Sequence, residues 1–173
     1  MGSEMCIRDR MNPGGVRADL VHASSTGGEA PGEITYAEAF AVQPFAGSLV
    51  SVNLSGAQIE KILEEQFNDS GTRAPTLMLG VSKGLTYAFS RGAPVGDRID
   101  PASITLNGEP LRPDAVYRVT ANTFLAAGGD GFTTFAEGTD TVGGGDDIAA
   151  LTDYLTAHSP VAPPGIDRVT ELP

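Results

Sequence analysis

The chain has 173 residues, of which 40% are hydrophobic and 19% charged, and this composition predicts a globular protein of one domain or two small subdomains. The formal net charge of −11 argues against nucleic acid as a ligand, because binding a phosphate backbone needs clustered Lys and Arg. No apolar run approaches the roughly 20 residues that span a bilayer, and the single cysteine, Cys6, allows no intrachain disulfide.

Residues 1–10 differ from the rest of the chain. They show neither the periodicity of a helix or strand nor the long apolar core of a secretory signal, so residues 1–11 are interpreted as a non-native or unstructured leader. They are similar to translated adapter sequence at the end of an assembled read. On this interpretation the natural protein begins further upstream, and residues 12–173 are its C-terminal part.

Residues 12–17 read Asn-Pro-Gly-Gly-Val-Arg. Two glycines before Val16 and Arg17 predict a compact turn whose backbone amides can face an anion, with the Arg17 side chain as a rigid fork of donors. The alternative is a surface turn with a solvated Arg17, and these residues alone favour that alternative.

A first helix is predicted over residues 36–42. Thr35 and Glu38 form a capping-box pattern at its start. Pro44 ends the helix, since the residue before a proline tends to leave the helical region. Phe45 therefore lies in a turn, where a core residue is less expected.

A strand over residues 48–54 and a second helix follow. Strict alternation predicts the strand, and Ser55 with Gln58 forms a second capping box. The helix has one apolar stripe, which predicts burial of Ile59, Ile62, Leu63 and Phe67.

Two hairpins are predicted in the next part of the chain. Residues 76–82 and 85–90 read as strands joined at Lys83 and Gly84. Residues 104–106 and 109–111 flank Asn107-Gly108, a pair that suits a type I′ turn.

Residues 139–145 read as a glycine-rich loop, after which Asp146 or Asp147 starts a helix. One stripe of this helix carries Ile148, Leu151, Tyr154 and Leu155. A short terminal strand is expected around Arg168 and Val169. Helices and strands alternate with hairpins, which predicts an α/β or α+β class with a mixed sheet.

The most informative segment is residues 122–132, Asn-Thr-Phe-Leu-Ala-Ala-Gly-Gly-Asp-Gly-Phe, which follows a predicted strand over residues 117–121. Its glycines permit a close approach by a ligand. Asp130 between Phe124 and Phe132 supplies a polar group beside an aromatic wall, as small-molecule sites require. A tight turn in which Asp130 bonds its own backbone is an equally good interpretation of these residues.

Taken in order, residues 12–17, 44–45, 54–56, 113–117 and 122–132 resemble motifs of the C-terminal domain of the 5′-nucleotidase family, which includes UDP-sugar hydrolases and AMP hydrolases. The resemblance implies an α/β (α+β) fold of four layers, α/β/β/α, with mixed sheets. Two positions depart from the family pattern: Pro13 replaces a glycine, and Gly47 stands where some members have Asn.

The resemblance also implies a substrate-binding site. Phe45 and Phe124 match aromatic residues that clamp a nucleobase. Asp130 matches the carboxylate that accepts hydrogen bonds from the ribose hydroxyls, and Arg17 matches an arginine near the sugar. Asn12 matches a position at the base edge or its surroundings. The function predicted for this chain is therefore recognition of a nucleoside or nucleotide.

Catalysis is expected to reside elsewhere. In the family an N-terminal metallophosphatase domain binds two divalent metal ions, which activate water. That domain is the predicted partner, and its enzyme would be an extracellular, periplasmic or envelope-associated phosphohydrolase. This chain has two histidines, His22 and His158, which are predicted to be surface residues. It is thus expected to hold no catalytic residue, metal ion or cofactor of its own.

Two other functions remain open from the sequence. The first is a non-catalytic module that binds another small molecule in the same cleft. The second is a structural domain in which residues 128–132 and 143–147 act as acidic calcium loops, although the ligand spacing of an EF-hand is absent.

Overall fold

The computed structural model describes residues 6–23, 27–67, 76–163 and 165–173. The strands in these residues are β1 Cys6–Arg10, β2 Ser48–Ser55, β3 Leu85–Phe89, β4 Ile99–Leu106, β5 Glu109–Pro110, β6 Val116–Asn122, β7 Thr139–Asp146 and β8 Val169–Glu171. The α-helices are α1 Tyr36–Val42, α2 Gly56–Glu64, α3 Thr123–Ala126 and α4 Asp147–His158.

The strands form two mixed sheets, with the orders β1-β6-β2-β7 and β5-β4-β3-β8. In each sheet one edge strand is parallel to its neighbour, β1 to β6 and β8 to β3, and the other pairs are antiparallel. The α/β class with mixed sheets is confirmed.

One hydrophobic core is shared by both sheets and α2. The predicted stripe of α2 is fully buried, with Ile59, Ile62, Leu63 and Phe67 at 0% exposure. The capping boxes at Thr35 and Ser55 are both formed, so α1 and α2 begin where the sequence predicts.

The second predicted hairpin is confirmed. Asn107 and Gly108 join β4 to β5 with positive φ angles of 53° and 84°, as a type I′ turn requires. The terminal strand is confirmed as well, because β8 begins at Val169.

The first predicted hairpin is wrong. Strand β3 pairs with β4 and β8, and residues 76–82 contribute an isolated bridge from Gly80 to Met11. The reason lies in Gln66, whose backbone oxygen accepts from Leu77 N at 2.8 Å and whose side-chain Oε1 accepts from Leu79 N at 2.8 Å. These donors are therefore engaged by one residue of another segment.

The predicted glycine-rich loop at residues 139–145 is also wrong, since these residues belong to β7 and pair antiparallel with β2. Strand pairing uses backbone groups, which glycine has like any other residue. Gly144 even suits a close approach, because a Cβ there would lie 3.2 Å from the Leu49 oxygen.

On the predicted stripe of α4, Ile148 is buried, whereas Tyr154 is 52% exposed and its ring stacks on that of His158. Residues 6–10, excluded from the fold as part of a leader, form β1 and pair parallel with β6. The backbone groups at an open sheet edge can pair with any extended segment, so a strand there need not have a recognisable side-chain pattern. Whether the leader is non-native is a separate prediction.

Candidate functional site

A cavity of about 470 Å³ lies beside the carboxyl end of β6. Three separate chain segments supply the five predicted site residues, and all five line this cavity: Asn12, Arg17, Phe45, Phe124 and Asp130. The structure therefore brings together residues that are up to 118 positions apart in sequence.

The first wall of the cavity is the turn at residues 12–17. Pro13–Gly15 form a single 3-10 turn, in which Gly15 N donates to Asn12 O at 2.8 Å. Pro13 occupies the first helical position, where its fixed φ is favourable and no backbone donor is needed. The replacement of a family glycine by Pro13 is thus compatible with a compact turn.

Arg17 and Phe45 form the second wall. Arg17 N donates to Val42 O at 2.9 Å, which ties the glycine turn to the end of α1. The Arg17 guanidinium carbon lies 5.2 Å from the centre of the Phe45 ring, a cation–π distance. Phe45 remains 52% exposed in its turn, as the sequence indicated.

Phe124 forms the third wall, on the short helix α3. Asn122 starts this helix, because its Oδ1 accepts from Leu125 N at 2.8 Å. The Phe124 ring is 52% exposed and rests on the backbone of Gly129, where a Cβ would lie 2.5 Å from Phe124 Cε1. Only glycine allows this approach without moving the ring.

Asp130 is held by a relay of side-chain amides. Asn12 Nδ2 donates to Asp130 Oδ2 at 2.7 Å, and Asn122 Nδ2 donates to Asn12 Oδ1 at 3.3 Å. Asn12 is 5% exposed, so its amide is largely enclosed by these partners. Asp130 itself has a left-handed backbone with φ of 56°, which Asp tolerates better than most residues. Its carboxylate bonds a distant segment, which counts against the simple-turn interpretation.

Phe132 does not belong to the cavity, which corrects the expectation of an aromatic wall on both sides of Asp130. Its side chain is fully buried and packs edge-to-face on Phe135, with ring centres 6.4 Å apart. Residue spacing alone does not reveal which of two phenylalanines faces the solvent.

Sequence reasoning missed Asp147 as a cavity residue. It is 6% exposed and lines the cavity next to Gly47. The sequence signal was ambiguous, because an acidic residue at a helix start is explained by the helix dipole alone.

Metal ligands are not grouped in the described part of the chain: no cluster of three or more His, Cys, Asp or Glu side chains there is arranged to hold a metal ion. Both His22 and His158 are exposed, as predicted. The calcium-loop interpretation is weakened, since residues 143–146 of its second loop belong to strand β7.

Among the described helices, none combines the length and apolarity needed to cross a bilayer.

Comparison with known proteins places the chain in a family. Residues 10–137 match the family model of the 5′-nucleotidase C-terminal domain. A cell wall protein of Listeria monocytogenes is 38% identical over 125 residues, which are 72% of this chain and 15% of that protein. Protein UshA of Yersinia enterocolitica is 31% identical over 152 residues, which are 87% of this chain and 24% of that protein.

A solved structure shows the same relationship. The crystal structure of a 5′-nucleotidase precursor from Thermus thermophilus is similar to this chain with a TM-score of 0.77 and 33% identity, over 96% of this chain and 31% of that one. The chain thus spans less than a third of each of these three proteins. Since the family model matches well over half of the sequence, the chain belongs to the family of 5′-nucleotidase C-terminal domains.

Proposed function

We propose that the cavity binds the nucleoside part of a nucleotide, with the base held between Phe45 and Phe124. The observation that carries this proposal is that all five residues assigned to the substrate site by the family resemblance line one cavity. Both aromatic rings are half exposed there, although burying an aromatic side chain is normally favourable. A stacked base would cover them, and such stacking is worth about 1–3 kcal/mol per base.

In this proposal Asp130 accepts hydrogen bonds from the ribose hydroxyls, and Arg17 lies at the sugar or its neighbouring groups. A carboxylate suits a pair of hydroxyl donors, because it has acceptor sites on both oxygens. Asn12 is assigned a positioning role, since its amide nitrogen and oxygen are bonded to Asp130 and Asn122. It acts on the ligand through Asp130.

The phosphate chemistry is assigned to a second, metallophosphatase domain of the whole protein. Supporting this division, the chain spans less than a third of the relatives described above, and its described residues offer no metal-ligand cluster. Two divalent ions in the partner domain would activate water, and this chain would orient the nucleotide. A cell-envelope location is also proposed, because one relative is named a cell wall protein.

Calorimetric titration of the chain with adenosine and AMP tests the binding proposal. Phe124→Ala and Asp130→Ala are each expected to weaken binding about tenfold or more, given the size of the stacking and charged hydrogen-bond terms. Tyr154→Ala is the matched control, since Tyr154 has the same 52% exposure but lies outside the cavity lining.

Saturable binding that is equal in the parent chain, Phe124→Ala and Asp130→Ala would reject this site. A folded chain that binds no nucleoside would favour the alternative of a module for another small molecule.

A further inference from the structure

Asp147 places a second carboxylate in the wall of the cavity. It is the first residue of α4, and its backbone N donates to Gly47 O at 2.9 Å. Its Oδ1 accepts from Ile148 N at 2.7 Å. The side chain is thereby fixed at the cavity edge beside Gly47, which follows Phe45 by two positions.

The second oxygen of Asp147, Oδ2, has no hydrogen-bond donor in the described part of the chain. The residue is only 6% exposed and lines the cavity. A carboxylate oxygen that lines a cavity and has no protein donor is available to accept a hydrogen bond from a ligand. Gly47 leaves access to it, since a Cβ there would lie 3.1 Å from Oδ2.

We infer that Asp147 selects the base by accepting a hydrogen bond from its exocyclic amino group. The inference rests on the proposed function, in which the base stacks on Phe45 and its edge reaches Gly47. A carboxylate is an acceptor only. It therefore attracts the amino group of adenine or cytosine, and it disfavours the carbonyl oxygen that hypoxanthine or uracil presents at the equivalent position.

Three purine nucleosides that differ at one position test this inference: adenosine with a 6-amino group, purine riboside with hydrogen, and inosine with a 6-oxo group. The parent chain is expected to bind adenosine about tenfold more tightly than purine riboside, the ratio expected for one hydrogen bond to a charged group. Inosine should bind more weakly than purine riboside.

Asp147→Asn is the decisive variant. Its side-chain oxygen can keep the bond from Ile148 N while its amide nitrogen, a donor, faces the cavity. The order of affinities should therefore reverse, with inosine above adenosine. In a second variant, Gly47→Ala, the new methyl group crowds Oδ2 and should reduce the preference for adenosine. Thermal melting checks that both variants are folded.

The amide NMR signal of Ile148 is an independent readout, because Ile148 N is bonded to the same carboxylate. It should shift with adenosine far more than with purine riboside. If the parent chain binds all three nucleosides equally, the assignment of Asp147 is wrong while the base clamp stands. If none of them binds to the folded parent chain, the clamp itself is rejected and the assignment of Asp147 with it.

Discussion

At the scale of single residues, the exposure of Phe124 depends on a glycine five positions later. Gly129 presents bare backbone to the ring, and a Cβ there would lie 2.5 Å from Phe124 Cε1. The glycine-rich sequence therefore has a second effect besides forming a turn. It supports an aromatic surface that faces the cavity.

Gly129→Ala is accordingly expected to push the Phe124 ring away and to weaken adenosine binding about tenfold, the lower range of a lost stack. Gly143→Ala is the matched control, because no atom lies within 4 Å of its added Cβ and its φ is not positive. Titration and thermal melting of both variants measure the effect. Unchanged affinity in a folded Gly129→Ala chain would contradict the proposed support of the ring.

Asn12 offers a second prediction at this scale. Its side chain donates to Asp130 at 2.7 Å and accepts from Asn122 at 3.3 Å, so truncation to Ala removes both hydrogen bonds from a largely buried site. Asn12→Ala should lower the free energy of unfolding by about 1–3 kcal/mol, as measured in urea.

A double-mutant cycle separates positioning from direct contact with the base. If Asn12 acts through Asp130, the affinity loss of Asn12→Ala should disappear in an Asp130→Ala background. Strictly additive losses would show instead that Asn12 contacts the ligand itself.

At the scale of elements, the sequence predicts the features that depend on residues close together in the chain. The capping boxes at Thr35 and Ser55 and the turn at Asn107-Gly108 each involve residues within a few positions of one another. Strands β1 and β7 were not predicted, because backbone pairing with distant strands defines them and their side chains carry no alternating pattern.

The same distinction explains which site residues were predictable. Phe45, Phe124 and Asp130 lie in short sequence motifs that can be recognised without knowing the strand pairing. Asp147 reaches the cavity because Ser48 of β2 pairs with Asp146 of β7. Residues 139–145 have the glycine-rich sequence of a loop, which does not indicate that pairing. The position of Asp147 at the cavity could therefore not be predicted from the sequence.

A pH-dependent contact links α2 to the 3-10 segment Thr133–Glu137. Lys61 Nζ lies 2.9 Å from Glu137 Oε1. The hydrogen bond from Lys61 lowers the pKa of Glu137 below its ordinary value of 4.5, and the same bond raises the pKa of Lys61 above 10.5. The folded state therefore favours the charged form of both groups.

The contribution of this pair should be present at neutral pH. It should be lost as the pH falls through the lowered pKa of Glu137, and again as the pH rises through the raised pKa of Lys61. Both groups are exposed, so the effect is expected to be small and weakened by salt. A double-mutant cycle of Lys61→Ala and Glu137→Ala, followed by urea unfolding at pH 7 and pH 3, measures it. A coupling that does not decrease between pH 7 and pH 3 would contradict an ionic origin.

At the scale of the whole molecule, the proposed function separates binding from chemistry. The cavity contains aromatic rings, two carboxylates and one guanidinium, which suit a nucleoside and its immediate surroundings. In that proposal, metal ions of a second domain activate water for attack on phosphorus. The net charge of −11 adds general repulsion toward the anionic phosphate, so a cationic partner site is expected to hold that group.

The isolated chain is therefore expected to bind AMP without cleaving it. Inorganic phosphate released from AMP should stay at the level of a protein-free control, with or without added Mg²⁺, Mn²⁺ or Zn²⁺, while titration shows saturable binding. Since no metal ion is assigned to the fold, its melting temperature should also be unchanged in chelator, which separates this proposal from a calcium-loop domain. Metal-dependent phosphate release that follows chain concentration and is abolished by Asp130→Ala would place the reaction in this domain and overturn the division.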